Sequence, residues 1–369
     1  MITRYEPKPD WLKVRAPGGD TYHALKKTFR ELDLATVCEE ARCPNVGECW
    51  REGTATVMLL GEVCTRGCRF CAVTTGDPRG AVDSREPEHT ARAIARLDLQ
   101  YVVMTMVDRD DLLDGGAEHV ARTVKTLRAL RPDILVETLV GDFAGHLSHV
   151  DTVVDGGPDV FAHNIEVVKR LQRPIRDVRS SYEQSLAVLR RAKERIGKDG
   201  EKKRLTKSSI MVGIGESDDE VLEAMADLQA AGVDVLTIGQ YLRPSPKHAA
   251  VDRFVHPDTF AAFARAGDAM GFLYTASGPL VRSSYKAAEG FLRGLLGARD
   301  DGGATPYGHV DAVLLERLAT ARREAARVAG ELGEEPQALG AAAQLVMERA
   351  TTEERLVPAA SLVRRPAAS

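Results

Sequence analysis

All six cysteines of this 369-residue chain lie between Cys38 and Cys71, and the rest of the sequence has none. In a small secreted protein such a density would indicate disulfides. This chain is long and begins without the apolar segment of a secretory leader, so its thiols are expected to stay reduced. Metal binding or catalysis is therefore the better interpretation, and three disulfides are a distant alternative.

Composition and charge exclude several other classes of protein. A hydrophobic content of 44% with 28% charged residues is typical of a soluble globular protein. The formal net charge of −4 gives no electrostatic basis for binding nucleic acid, and no apolar run is long enough to span a membrane. The sequence therefore predicts a cytoplasmic protein that binds neither nucleic acid nor membranes.

Cys64, Cys68 and Cys71 are spaced C-x3-C-x2-C in the sequence CTRGCRFC. They follow residues 54–61, a β-branched and apolar run that predicts a buried strand. Three thiolates on a short loop can hold three irons of a 4Fe–4S cluster, because soft sulfur ligands suit iron–sulfur sites. The fourth iron then has no protein ligand and can chelate a substrate.

Cys38, Cys43 and Cys49 form a second triplet, spaced C-x4-C-x5-C in the sequence CEEARCPNVGEC. Three thiolates again require a fourth ligand from elsewhere. The alternative for both triplets is structural zinc held by three cysteines and a histidine. Zinc sites usually take their ligands as two closely spaced pairs, and neither triplet provides two such pairs. No histidine lies between Cys38 and Cys71. The spacing therefore favours iron–sulfur over zinc.

The remainder of the chain alternates between strand and helix patterns, which predicts a parallel sheet with helical crossovers. Predicted strands are residues 54–61, 101–107, 134–140, 159–163, 208–214 and 234–240, and predicted helices include residues 118–130, 182–195 and 218–231. We expect an α/β fold, a partial (β/α)6 TIM-like barrel whose chemistry collects at the carboxyl ends of the strands. Its predicted domains are an N-terminal cysteine-rich extension (1–53), the barrel (54–286) and a C-terminal helical or partly disordered tail (287–369).

Taken together, these motifs resemble the lipoyl synthase family. C-x3-C-x2-C after a first barrel strand is the signature of the radical S-adenosylmethionine superfamily, and CEEARCPNVGECW is similar to the lipoyl synthases within it. Agreement extends to VDRDDLLDGG (107–116), HNIE (163–166), TKSSIMVGIGES (206–217), TIGQYLRPS (237–245) and ASGPLVRSSY (276–285). Biotin synthase shares the first motif, but it is not expected to carry the leading triplet or the RSSY segment.

The resemblance implies an enzyme that inserts sulfur at carbons 6 and 8 of an octanoyl chain. That chain is amide-linked to a lysine of a lipoyl carrier protein, either the lipoyl domain of a 2-oxoacid dehydrogenase E2 component or the glycine cleavage H protein. The implied cofactors are S-adenosylmethionine and two 4Fe–4S clusters. One cluster cleaves S-adenosylmethionine with an electron from an external donor, and the auxiliary cluster is consumed as the sulfur source.

The resemblance also assigns roles to individual residues. The first cluster would be held by Cys64, Cys68 and Cys71, and the auxiliary cluster by Cys38, Cys43, Cys49 and Ser284. The methionine moiety would lie near Gly115 and Gly116, and the ribose hydroxyls near Asn164 and Glu166. The adenine would lie near Gly213, Gly215 and Glu216. Sequence alone does not choose between Ser283 and Ser284 as the fourth ligand. A serine oxygen is harder than a thiolate and therefore a weak match for iron–sulfur, which would allow the auxiliary cluster to be dismantled.

Several other polar residues are weaker candidates. Arg243, Lys207 and Arg282 could anchor carboxylates of the cofactor or the partner, although each taken singly is more typical of a surface or salt-bridging charge. The acidic run at 108–111 could orient these cations or simply be solvated. His163 follows an apolar run and is expected to be a core histidine. Two competing hypotheses remain. In one, the auxiliary cluster only relays electrons; in the other, the protein is a binding module stabilised by structural zinc, with the barrel as its scaffold.

Overall fold

The computed structural model describes residues 8–13, 54–97, 101–197 and 204–284, together with residues 27, 36, 45, 46, 99, 323, 327 and 331. The predictions made for Cys38, Cys43 and Cys49 lie outside the described residues. The same holds for nearly all of the predicted tail and for the boundaries of the three predicted domains. Within the described part of the chain, no helix is long and apolar enough to cross a membrane.

A parallel sheet forms the centre of the described structure. Its strands are β1 (Thr54–Leu59), β4 (Tyr101–Met106), β5 (Leu135–Leu139), β6 (Val160–Ala162), β7 (Leu205–Val212), β8 (Val235–Gln240) and β9 (Tyr274–Gly278), paired in that order. The short strands β2 (Val63–Cys64) and β3 (Thr74–Thr75) pair with each other outside this sheet. Because every pair in the sheet is parallel, all of the carboxyl ends lie at one edge.

Helices in the described residues fill most of the crossovers between these strands. They are α1 (Glu86–Ala95), α2 (Ala117–Leu130), α3 (Leu147–Asp155), α4 (Gln172–Ile175), α5 (Tyr182–Ile196), α6 (Asp218–Ala230) and α7 (Pro257–Met270). The predicted helices at 118–130, 182–195 and 218–231 are confirmed. The last of these begins with a capping box, in which Ser217 and Glu220 each satisfy a backbone N–H of the other.

All six predicted strands form, but the prediction of six was incomplete because β9 adds a seventh. Its sequence YTASG is short, small and half polar, so it lacks the apolar run that marks a buried strand. The predicted start of β7 at residue 208 was also wrong, since the strand begins at Leu205. The polar residues Thr206 and Lys207 belong to it and are buried.

One face of the sheet packs against the helices, where Val102, Met104 and Phe161 belong to the main core. The opposite face carries a separate cluster, which includes Tyr101, Val103, Leu135, Val160, Leu205 and Val235. These side chains are buried although, among the described residues, only strands contribute to their cluster. Because most of them begin their strands, they occupy the amino-terminal end of this face and leave the carboxyl-terminal end for other contacts.

A buried ion pair lies in the same part of the sheet and decides between the two interpretations of Lys207. The ammonium of Lys207 donates to both carboxylate oxygens of Glu137 at 2.8 and 2.9 Å, and the hydroxyl of Tyr101 donates to the same carboxylate at 2.7 Å. Lys207 and Glu137 are both buried. Lys207 is therefore committed to the core and does not serve as an anchor for a cofactor or a partner.

Candidate functional site

The loop with Cys64, Cys68 and Cys71 begins where β1 ends, at the carboxyl edge of the sheet. Leu60 has the left-handed φ of 68°, which is unusual for a branched residue. Both of its backbone groups are held, since its N–H donates to Glu86 at 2.9 Å and its carbonyl accepts from Arg109 at 3.2 Å. This fixed turn sets the direction in which the cysteine loop leaves the sheet.

The three thiols of this loop are half-buried and form no disulfide. Backbone N–H groups point at two of the sulfurs, from Arg66 to Cys64 at 3.5 Å and from Asp177 to Cys68 at 3.4 Å. Burial raises the pKa of Cys68 to about 12 and that of Cys71 to about 11. Thiolates at these positions therefore require a cationic partner, and this soft donor set with its N–H contacts fits an iron–sulfur cluster.

Arg66, inside the cysteine motif, ties the loop to the sheet. Its guanidinium donates to both carboxylate oxygens of Asp110 at 2.8 and 2.9 Å and to Ser180 at 3.0 Å, and it lies 2.7 Å from Asp142. Asp110 follows β4, Asp142 follows β5, and the side chain of Arg66 is only 1% exposed. The cysteine loop is thus bound to the ends of two further strands by a buried charge network.

This network corrects the prediction for the acidic run at 108–111. Its carboxylates do not orient Arg243, Lys207 or Arg282, and they are not simply solvated. Asp110 pairs with Arg66, and Asp111 pairs with the buried Arg109 at 2.8 Å. Asp108 lies 3.7 Å from Arg66, and burial, opposed by that guanidinium, raises its pKa to about 6.

Asn164 and Glu166, which were predicted to bind the ribose hydroxyls, lie together just after β6. Glu166 has a left-handed φ of 67° and bridges to Ile210 of β7, so its position is fixed by the sheet. Burial raises the pKa of its carboxyl, while Arg176 and a hydrogen bond from Asn164 act in the opposite direction. A strained, half-buried carboxylate at a strand end is typical of a binding site.

His163 is a core histidine, as predicted. Nδ1 donates to the carbonyl of Val140 at 2.8 Å, and Nε2 lies 2.9 Å from the hydroxyl of Ser185, which also accepts from Arg176 at 2.7 Å. Both ring nitrogens therefore have partners. Burial, reinforced by the charge of Arg176, lowers the pKa of His163 to about 4.

The folded protein should consequently lose stability in mild acid. Unfolded His163 takes up a proton near its ordinary pKa of about 6.5, whereas folded His163 stays neutral down to about 4. Stability is therefore lost as the pH falls through this window, by roughly 2 kcal/mol at pH 5 from this residue alone. Urea unfolding of cluster-free protein at pH 7.5 and pH 5 measures the loss, and His163→Gln should reduce it. An identical loss in that variant would contradict the assignment.

Both pairs of predicted glycines have left-handed backbone conformations; Gly115 and Gly116 lie directly before α2, and Gly213 and Gly215 lie just after β7. Gly115 and Gly116 have φ of 61° and 87°, and a Cβ at Gly116 would lie 2.3 Å from Leu60. Gly213 and Gly215 have φ of 90° and 120°. The carboxylate of Glu216 accepts the N–H groups of Gly213 and Ile214 at 2.6 and 3.0 Å and so holds this second turn.

Ser283 and Ser284 follow β9 and are half-buried at the same edge of the sheet. Arg282 donates to the carbonyl of Val281 at 2.6 Å. Arg243 donates to the carbonyl of His248 at 3.0 Å, and His248 in turn lies 2.9 Å from the carbonyl of Cys71. Arg243 thus organises a loop that supports the cysteine motif, a role that its sequence did not indicate.

Comparisons with known proteins give the family. The model described as the radical SAM superfamily matches residues 58–228, and that for the N-terminal domain of lipoyl synthase matches residues 4–43. A lipoyl synthase from Sorangium cellulosum is 71% identical over 99% of this chain and 100% of its own length. This chain belongs to the lipoyl synthase family. Membership in the radical SAM superfamily favours iron–sulfur over zinc for the cysteine loop.

Other relatives extend the same result. A lipoyl synthase from Anaeromyxobacter is 56% identical over 80% of this chain and 98% of its own length. A chloroplastic lipoyl synthase from Ricinus communis is 53% identical over 80% of this chain and 82% of its own length. Among solved structures, methylornithine synthase has a TM-score of 0.44 at 13% identity, over 86% of this chain and 94% of its own. That score is too low to support a functional comparison.

Sequence reasoning missed Arg66, Asp142 and Arg176 as parts of the site. Arg66 was visible inside the cysteine motif, but an arginine in a polar loop is usually a surface charge. Its burial follows from carboxylates contributed by two other strand ends. The sequence did carry a signal for this network: a basic residue lies between the cysteines, and aspartates follow directly after predicted strands.

Proposed function

We propose that this lipoyl synthase family member inserts sulfur at carbons 6 and 8 of an octanoyl chain. The chain would be amide-linked to a lysine of a lipoyl carrier protein, either an E2 lipoyl domain or the glycine cleavage H protein. The observation that carries the proposal is the meeting of three elements at one edge of the sheet. These are the cysteine loop, the Asn164–Glu166 turn and the segment with Ser283 and Ser284.

Each group of residues has a separate task in this proposal. When bound, the cluster of Cys64, Cys68 and Cys71 supplies the electron that cleaves S-adenosylmethionine, and the auxiliary cluster, with candidate ligands Cys38, Cys43, Cys49 and Ser284, supplies the sulfur. Asn164 and Glu166 bind the ribose hydroxyls, Gly115 and Gly116 allow close approach of the methionine moiety, and Gly213 and Gly215 border the adenine. Arg66 holds the cysteine loop in position, and Glu216 holds the turn that contains Gly213 and Gly215.

Burial on the helix-free face of the sheet supports a partial barrel. Tyr101 and Val103 are buried there, although no helix in the described part of the chain belongs to their cluster. Such burial is expected when a sheet curls and its own side chains cover one another. A curved sheet closed at its amino end by the Lys207–Glu137 pair would admit the octanoyl chain only from the carboxyl edge, and it would exclude water from a reactive radical.

The proposal is tested by a sulfur balance during turnover. Anaerobically reconstituted protein, carrying about eight iron and eight sulfide per chain if it holds two clusters, is incubated with an octanoyl-lysyl carrier peptide, S-adenosylmethionine and dithionite. We expect a lipoyl product and an equivalent loss of sulfide. Product that forms while all sulfide is retained would favour the electron-relay hypothesis instead, and absence of any lipoyl product would overturn the proposal.

Replacing Ser284 by Cys should keep the auxiliary cluster and slow sulfur release about tenfold or more. A thiolate binds iron–sulfur more tightly than a serine oxygen, so the cluster becomes harder to dismantle. The rate of lipoyl formation measures the effect, with 5′-deoxyadenosine formation recorded in parallel. Ser283→Cys is the matched control and should leave the rate unchanged. The reverse result would move the ligand to Ser283.

A further inference from the structure

Asn45 joins two segments that lie 235 residues apart in the sequence. Its side-chain amide donates to the carbonyl of Leu280 at 2.6 Å, and the residue is only 4% exposed. The adjacent Val46 is buried in the main core with Val57 of β1. Asn45 is therefore a fixed point between the core and the segment that follows β9.

A tight turn directs that segment back over the sheet. The N–H of Val281 donates to the carbonyl of Gly278 at 3.1 Å, which closes a four-residue turn with Pro279 at its second position. Proline favours this position because its fixed φ matches the turn. The chain leaving β9 is thereby turned toward β8, its neighbour in the sheet.

Gly239 of β8 provides the space for this turn. A Cβ at Gly239 would lie 2.0 Å from the carbonyl oxygen of Val281 and 2.9 Å from its carbonyl carbon. Both atoms are backbone and have no rotamer by which to move away. The carbonyl of Val281 can therefore rest on β8 only because residue 239 has no side chain.

Covalent geometry extends these contacts to the candidate ligands of the auxiliary cluster. Asn45 is two residues after Cys43 and four before Cys49, and Leu280 is four residues before Ser284. An extended chain spans at most about 3.6 Å per residue. A two-residue separation therefore allows at most roughly 7 Å, and a four-residue separation at most roughly 14 Å.

We propose that Asn45 and Gly239 are positioning residues that hold the Ser283–Ser284 segment within reach of the cysteines flanking Asn45. Asn45 donates a hydrogen bond to the turn, and Gly239 leaves the space in which the turn packs against the sheet. This inference rests on the proposed function, because it takes Cys43, Cys49 and Ser284 as ligands of one cluster. It adds the device that brings them together from opposite ends of the chain.

Asn45→Asp is the sharpest test, because it keeps the shape of the side chain and replaces the N–H donor with a second acceptor facing the carbonyl of Leu280. We expect iron and sulfide after anaerobic reconstitution to fall twofold, from about eight to about four of each per chain. In cluster-free protein, amide exchange in the peptide 279–284 should become at least tenfold faster. This second measurement requires no cluster and reports the contact itself.

Gly239→Ala should give the same twofold loss of iron. Gly271→Ala is its control, since Gly271 has a left-handed φ of 91° but open space where a Cβ would be placed. The control carries backbone strain without a clash and should keep about eight irons. Equal iron content in the two variants would overturn the role of Gly239.

Ser284→Ala separates failure of this inference from failure of the proposed function. A second cluster retained in Ser284→Ala would overturn the ligand assignment, whatever Asn45 does. A second cluster lost in Ser284→Ala but retained in Asn45→Asp would overturn the positioning role alone. Unchanged exchange at 279–284 in Asn45→Asp would overturn that role as well, because the hydrogen bond would then hold nothing in place.

Discussion

Replacing Cys68 by Ala is expected to reduce cleavage of S-adenosylmethionine to the level of a protein-free control. The loop that carries Cys68 offers three thiols at the carboxyl edge of the sheet, and the Cys68 sulfur accepts the N–H of Asp177 at 3.4 Å. With two thiolates left, the loop no longer holds three irons of a cluster and cannot present an open fourth iron. Formation of 5′-deoxyadenosine under anaerobic reducing conditions is the measurement.

Cys43→Ala is the matched control for this result, since it removes one thiol from the other triplet. It should leave 5′-deoxyadenosine formation measurable while abolishing the lipoyl product, because only the sulfur source is affected. Retained cleavage in Cys68→Ala would show that the first cluster lies elsewhere. Loss of cleavage in both variants would show that the two triplets do not form independent clusters.

The parallel fold was largely predictable because its strands and helices carry local patterns. The run at 54–61 became β1, and the helix at 218–231 starts at the predicted cap Ser217. The start of β7 and the whole of β9 escaped detection because their residues are polar or small. The first residues of β7 include Lys207, whose partner Glu137 is 70 residues away, and β9 has the sequence YTASG, which carries no apolar run.

The candidate site was predictable only in part, for a related physical reason. The cysteine spacing reports chemistry that is local in the sequence, so the loop at 64–71 could be found without a structure. Arg66 depends on Asp110, 44 residues away, and Asn45 on Leu280, 235 residues away. No local pattern encodes such contacts. The role of Ser284 came from the family resemblance, since two serines before a tyrosine carry no chemical signal of their own.

Arg66→Met should lower the free energy of unfolding more than any other single substitution of a charged residue considered for this site. The guanidinium is buried between Asp110 and Asp142, and the Asp142 side chain has no exposed surface. Burial alone would raise the pKa of Asp142, and the hydrogen bond from Arg66 is the main influence that lowers it. Methionine fills a similar volume but leaves both carboxylates without this partner.

The expected loss is about 3–5 kcal/mol, the usual cost of removing one member of a buried ion pair. Arg176, 3.7 Å from Asp142, and Arg179, 3.2 Å from Asp110, compensate in part and favour the lower end of that range. Urea unfolding of cluster-free protein measures the effect. Arg85→Met is the control, since Arg85 is 87% exposed and its ion pair in the described structure is with the exposed Asp83, so a change within about 0.5 kcal/mol is expected.

A double variant distinguishes an unpaired charge from a packing defect. In Arg66→Met with Asp142→Asn, the carboxylate that would be left without its partner is itself neutralised, so part of the lost stability should return, by about 1–2 kcal/mol. If the methionine merely packs poorly, the second substitution adds its own cost and nothing returns. A single variant that unfolds within 1 kcal/mol of the Arg85→Met control would show that the cysteine loop is held in place without Arg66.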